Sequence, residues 1–234
     1  MKKIENILDN INNNLNYYYL IFCIIYSLLY IFITPPFGSP DEHNHFRKAA
    51  NKEIIYIFGD LKIDKNIQNF SEEIKDHLFD NKKIDINSYL KPESKNKFSN
   101  EFETADLANL SGYPYYAYIF PKIGFNVSKL FSDNILKAFY LGRIFNLFLF
   151  IFCSYLLIKI NFHKDYFYTL FFFPTTLSLV NSYNADSFII SMICLFAYYF
   201  FKFKDTNNTS KIINCNIIIL LISLIKPVYI FLIL

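Results

Sequence analysis

Tyr17-Tyr18-Tyr19-Leu20-Ile21-Phe22-Cys23-Ile24-Ile25-Tyr26-Ser27-Leu28-Leu29-Tyr30-Ile31-Phe32-Ile33 contains no charged residue and runs straight into Thr34-Pro35-Pro36. Such a run approaches the roughly 20 apolar residues that cross a bilayer. Lys2, Lys3 and an Asn-rich stretch precede it. A signal peptide has a similar start, but here no A-x-A cleavage site follows, so the run reads as an uncleaved first transmembrane helix. The rest of the chain repeats the theme. Phe139–Ile160 is a second long apolar run, Tyr166–Val180 and a stretch ending at Phe203 flank a polar knot at Asn181–Ser187, and Ile212–Leu234 is the last.

Composition agrees with this pattern. Of 234 residues, 53% are apolar, 20% aromatic and only 18% charged, and the mean hydropathy is +0.23. A soluble globule, a disordered chain and a disulfide scaffold are all poor fits to these values. Arg47 and Arg143 are the only arginines among 23 basic residues, and no basic cluster forms, so a nucleic-acid partner is not expected. Cys23, Cys153, Cys194 and Cys215 lie in or beside apolar runs without CxxC spacing and read as small apolar residues.

The expected fold is all-α: a multi-pass membrane protein of about five transmembrane helices with a long helical and irregular first external loop. Residues 1–16 form a tail, 17–33 the first span, 34–137 the loop, and 138–234 a four-helix membrane region. Within the loop, interfacial helices are expected near 40–58 and 113–131, with short helices and loops over 62–100. The segment 34–133 carries 13 basic and 15 acidic residues, with no positive bias. Lys2, Lys3, Lys159, Lys164, Lys202, Lys204 and Lys211 gather on the other side, which makes that side and the N-terminus cytoplasmic. The chain stops inside an apolar run, as the N-terminal part of a longer protein would.

Three groups of residues could carry chemistry. Ser39-Pro40-Asp41-Glu42 has the form of a capping box, with Ser39 as N-cap and Glu42 reaching back to its amide. Asp41 then shares a helix face with His45 at i,i+4, suited to a general base or a divalent-ion ligand, and equally to a plain helix cap. Arg143, Asp186 and Lys226 are ionisable residues within apolar runs, each a functional candidate by default. Snorkelling of Arg143 and Lys226, or structural pairing of Asp186 with one of them, is the plain alternative. Tyr113-Pro114-Tyr115-Tyr116-Ala117-Tyr118 reads as an interfacial aromatic belt or as a stacking surface for a sugar ring.

These motifs together resemble a known family. Pro35-Pro36-Phe37…Pro40-Asp41-Glu42-x-x-His45, Tyr140-Leu141-Gly142-Arg143-Ile144-Phe145-Asn146, Ser182-Tyr183-Asn184-Ala185-Asp186 and Lys226-Pro227-x-Tyr229 resemble, in order, the bacterial predicted membrane proteins called domain of unknown function 2142. That family is similar to the C-type glycosyltransferases, which move a sugar from a polyprenyl-phosphate carrier to an acceptor on the outer side of the membrane. The resemblance implies a bacterial cytoplasmic (inner) membrane location with loop 34–137 external. It implies Asp41 as catalytic acid with Glu42 beside it. It implies substrate contacts from Tyr115, Tyr116 and Arg143, to which the reading of the residues adds His45, Asp186 and Lys226, and glycan, lipid or protein acceptors. Only one of the two prolines in the relatives' Pro-Pro-x-x-Tyr segment is present, as Tyr113-Pro114. A divalent cation, Mg or Mn, on Asp41, Glu42 or His45 is the cofactor the resemblance allows. A non-catalytic scaffold or accessory subunit of polysaccharide assembly, and a lipid or sugar transporter, are the competing functions.

Overall fold

The computed structural model describes residues 2–52, 61–80, 85–90, 96–99, 101–105, 112–160, 168, 171 and 173–232. Helix α1 spans Lys2–Ile33, and its stretch Asn14–Ile33 is long and apolar enough to cross a membrane. The helix ends as the chain approaches Pro35, because a residue before proline is pushed out of the helical region. The last helical bond is Thr34 N–H to the Tyr30 carbonyl. Tyr19, Cys23, Ser27 and Ile31 are buried at every fourth position, while Tyr18, Phe22, Ile25, Leu29 and Phe32 are exposed. That stripe faces the neighbouring helices and leaves an apolar face for lipid.

Two further helices meet the membrane criterion: α6 (Ile135–Ile158) and α8 (Ala185–Thr206). Helix α9 (Thr209–Ile225) is apolar but has only 17 residues. Asparagines start all three. The side chains of Asn134, Asn184 and Asn208 accept from the amides of Lys137, Asp186 and Ser210 at 3.1, 2.8 and 3.0 Å, which satisfies otherwise orphaned N–H groups. Asn207, left-handed at φ 49°, turns α8 tightly into α9. Helix α6 is the hub, packed against α1, α8 and α5 (Ile119–Lys129).

The run expected as one span over 166–180 is interrupted. Residues 166, 167, 169, 170 and 172 of it lie outside the description, as does the polar turn 161–165. Its described end is a seven-residue helix, α7 (Pro174–Val180), with Phe173 extended before it. Pro174 cannot donate an intrahelical bond and sets Phe173 in the extended region, so a helix restarts there rather than continuing. Four or five spans therefore rest on α9 and on residues outside the description; three are long enough as they stand.

The segment between the first two long helices adds two short strands to the helices and irregular loops expected there. Helices α2 (Glu42–Ala49), α3 (Lys65–Phe79) and α4 (Ile86–Leu90) are joined by a small antiparallel sheet of β1 (Leu61–Asp64) and β2 (Phe102–Ala105). Asp64 caps α3 through Asn66 and ties down Ser99. Helix α2 stops at Ala49, short of the expected 58, and residues 53–58 lie outside the description. The expected interfacial helix over 113–131 is a 3-10 turn, Tyr115–Tyr118, followed by α5. Pro121 sits in the first turn of α5, where its missing N–H costs nothing. Helix α5 crosses α6 in close contact: a Cβ on Gly124 would strike the Leu141 carbonyl and Gly142 Cα, and one on Gly142 would strike the Tyr183 hydroxyl.

Candidate functional site

The connector from α1 to α2 holds two non-glycine residues in left-handed conformation, Phe37 at φ 61° and Asp41 at φ 56°. A bulky residue adopts that conformation only where its surroundings over-determine it. The Phe37 ring is buried against Phe46, Phe70 and Phe139, with centroids 5.7, 5.8 and 5.1 Å away. Arg143 fixes the backbone of the same connector from below. It reaches the carbonyls of Ile31 and Thr34 through Nη1 and that of Pro35 through Nη2, at 3.1, 2.9 and 3.1 Å. Its Nε and Nη2 also donate to the two carboxylate oxygens of Glu42 at 2.9 and 2.6 Å. All five N–H donors of the guanidinium are thus used, and its plane lies over the Phe139 ring.

This arrangement corrects two expectations. Glu42 does not reach back to the Ser39 amide, and no capping box forms. The N-cap is Asp41, without a side-chain cap bond. The Glu42 carboxylate is fully buried and also accepts from the Tyr183 N–H at 3.0 Å. A carboxylate at this position is worth more against a buried guanidinium than as a cap, because the fork-to-fork pair is charge-assisted and bidentate. Glu42 and Arg143 thus spend their side-chain hydrogen bonds on each other, on the α1–α2 connector and on the Tyr183 amide. Asp41, one residue earlier, is exposed.

One turn along α2, His45 is buried with Nδ1 2.6 Å from the Tyr118 hydroxyl. Burial pulls its pKa down to about 4, against the attraction of Asp41 and Asp186, so the ring is neutral near pH 7. Lys48, one turn further, is buried and donates to the Tyr113 carbonyl at 2.6 Å. Burial lowers its pKa to about 8. Tyr113 in turn stands edge-on to His45 at 5.6 Å. The second half of the cluster comes from the membrane helices. Asp186, in the first turn of α8, pairs with Lys226 at the end of α9 at 2.5 Å, and both are about one-third exposed, at 31% and 40%. The 3-10 turn seats between these helices. The Tyr116 hydroxyl donates to the Leu221 carbonyl at 2.7 Å, and its ring packs on Phe188. Tyr115 meets Tyr116 edge-on and is half-buried.

Asp41, His45, Tyr115, Tyr116, Asp186 and Lys226 thus come to one end of the helix bundle, where α1 ends, α6 and α8 begin and α9 ends. The Asp41–Glu42–His45 set does not suit a divalent ion. Both Glu42 oxygens are taken, and among the described residues no three His, Cys, Asp or Glu side chains gather as a metal site. Sequence reasoning missed Lys48, and held Tyr118 and Tyr183 only as members of longer motifs, without their contacts to α2. Lys48 lies at i+3 from His45, a spacing that places it on the same face. The two tyrosines meet α2 from 73 and 141 residues away, which no local pattern signals.

A family model described as predicted membrane protein (DUF2142) matches residues 23–234. The chain therefore belongs to that family. No curated protein and no solved structure matches it.

Proposed function

We propose that this DUF2142 membrane protein is an inverting glycosyltransferase. It moves a sugar from a polyprenyl-phosphate carrier to a hydroxyl of an envelope glycan, lipid or protein acceptor. The observation that carries the reading is the grouping of Asp41, His45 and the Asp186–Lys226 pair, drawn from α2, α8 and α9, at one end of the membrane helices. A lipid-linked phosphate reaches a protein at that level, because its tail stays in the bilayer.

In the proposed reaction Asp41 takes the proton from the acceptor hydroxyl as the oxygen attacks the anomeric carbon. The new C–O bond forms on the face opposite the phosphate, the C–O bond to phosphate breaks, and its electron pair leaves on the phosphate oxygen. Polyprenyl phosphate is a weakly basic leaving group, so it needs a cation more than an acid, and Lys226 supplies one. Neutral His45, oriented by Tyr118, hydrogen-bonds the incoming hydroxyl or the sugar. Tyr113 and Tyr115 offer ring faces to the sugar. Glu42 and Arg143 hold Asp41 in place. The site faces outward from a bacterial inner membrane, with the N-terminus cytoplasmic.

The test compares wild type with Asp41→Asn in membranes of a null strain, at equal protein levels, by mass spectrometry of glycolipids and envelope polysaccharide. A product carrying a defined added sugar mass with wild type alone supports the transferase. The same product from both removes Asp41 from the chemistry.

A further inference from the structure

The Asp186–Lys226 pair has features that a mere helix-to-helix strap does not need. Lys226 is the only charged residue of α9 and its exit after Lys211. It sits where the helix breaks before Pro227, with its backbone extended at ψ 103°. Its partner lies in the first turn of a 22-residue helix, where exposed amides and the helix dipole favour an anion. Both side chains keep about a third of their surface open. Ser223, three residues before Lys226 and so on the same face of α9, is buried with a hydroxyl that has no hydrogen-bond partner among the described residues. Buried hydroxyls normally find partners. A cation, a helix N-terminus and the unpaired Ser223 hydroxyl on the cation's face of α9 make a receptor for an anion with several acceptor oxygens, and the Asp186 carboxylate supplies only two.

We propose that this pair is a self-occupied anion site: Lys226 and the start of α8 form the receptor for a lipid-borne phosphate, and the Asp186 carboxylate holds that place until the phosphate displaces it. The inference rests on the proposed function for the identity of the lipid, and gives Asp186 the part of a built-in competitor rather than a substrate ligand. The exchange breaks the Nζ–carboxylate contact and forms an Nζ–phosphate contact. A phosphate brings three strong acceptor oxygens and up to two charges, enough to exceed a half-exposed carboxylate pair.

The experiment measures lipid binding to the full chain in nanodiscs by native mass spectrometry. The discs carry phosphatidylcholine alone, or with a few per cent of long-chain polyprenyl monophosphate or of phosphatidate. Wild type, Asp186→Asn, Lys226→Gln and the double variant are compared, with thermal unfolding as the check on folding. The expected order for polyprenyl phosphate is tighter binding by Asp186→Asn, roughly fivefold or more over wild type, and weaker binding by Lys226→Gln with or without Asp186. A structural strap predicts instead that both single variants change binding in the same direction, and that result overturns the proposal. Unchanged binding by Asp186→Asn in folded protein overturns it as well. Equal tightening toward phosphatidate keeps the competitor and removes the polyprenyl reading on which the ligand's identity rests.

Discussion

Two ion pairs at the same end of the helix bundle are built from the same kinds of residue and differ in almost everything else. Arg143–Glu42 is buried, bidentate and joined to three further backbone carbonyls. Asp186–Lys226 is a single contact, with each partner about a third open to solvent. A charge with every hydrogen bond spent inside a protein has no capacity left for a ligand, and its removal strands its partner in a medium of low dielectric. A half-exposed pair exchanges partners at small cost. In a membrane protein, an ionisable residue in an apolar run is a pointer to function only until its hydrogen bonds are counted.

The largest effects belong to the buried pair. Arg143→Met or Glu42→Gln should cost about 3–5 kcal/mol, because each leaves one buried charged partner without its counterpart. Thermal unfolding in detergent reads this as loss of most folded material. If Arg143→Met melts like wild type, the clamp on the connector is not holding it. The next effect comes from His45. Its folded pKa of about 4 lies below the ordinary 6.5, so the unfolded chain binds more protons between those values. Its contribution to stability is full above about pH 6.5 and is lost toward pH 4, on the order of 3 kcal/mol. A pH series of melting temperatures should show this slope in wild type and lack it in His45→Gln.

Gly142→Ala should cost about 1–3 kcal/mol by forcing a methyl group against the Tyr183 hydroxyl. It tests whether α5, α6 and the knot before α8 must lie this close to seat the Tyr183 amide on Glu42. The smallest effect belongs to the open pair: Lys226→Met should change stability by about 0–1 kcal/mol, since exposed pairs contribute little. A loss as large as that of Arg143→Met in the same melting assay would erase the distinction between the two pairs.

The membrane helices were legible because an apolar run needs no knowledge of its neighbours. The break at Phe173-Pro174 was legible too, had Pro174 been weighed against the length of the run. The polar knot stood out in its apolar surroundings, and pairing of Asp186 with a cation was one of the readings open. What the pattern of residues hid was partnership across long separations. Ser39-Pro40-Asp41-Glu42 fits a capping box by spacing, yet Glu42 turns to a guanidinium 101 residues away. Strands β1 and β2 are four residues each in a Lys- and Asp-rich stretch and pair across two intervening helices, so alternation had too few positions to show. Lys48 lay on the His45 face but was one lysine among many.

In the proposed transferase two adjacent carboxylates divide chemistry from support, with Asp41 reacting and Glu42 holding. The direct measurement is sugar transfer from a polyprenyl-phosphate donor by Asp41→Asn, normalised to folded protein by its melting curve. Asparagine suits the left-handed backbone at this position and no cap bond is lost, so unfolding should stay within about 0.5 kcal/mol of wild type. Transfer should fall by at least about a hundredfold with the base gone. A variant that folds normally and transfers at the wild-type rate takes Asp41 out of the reaction.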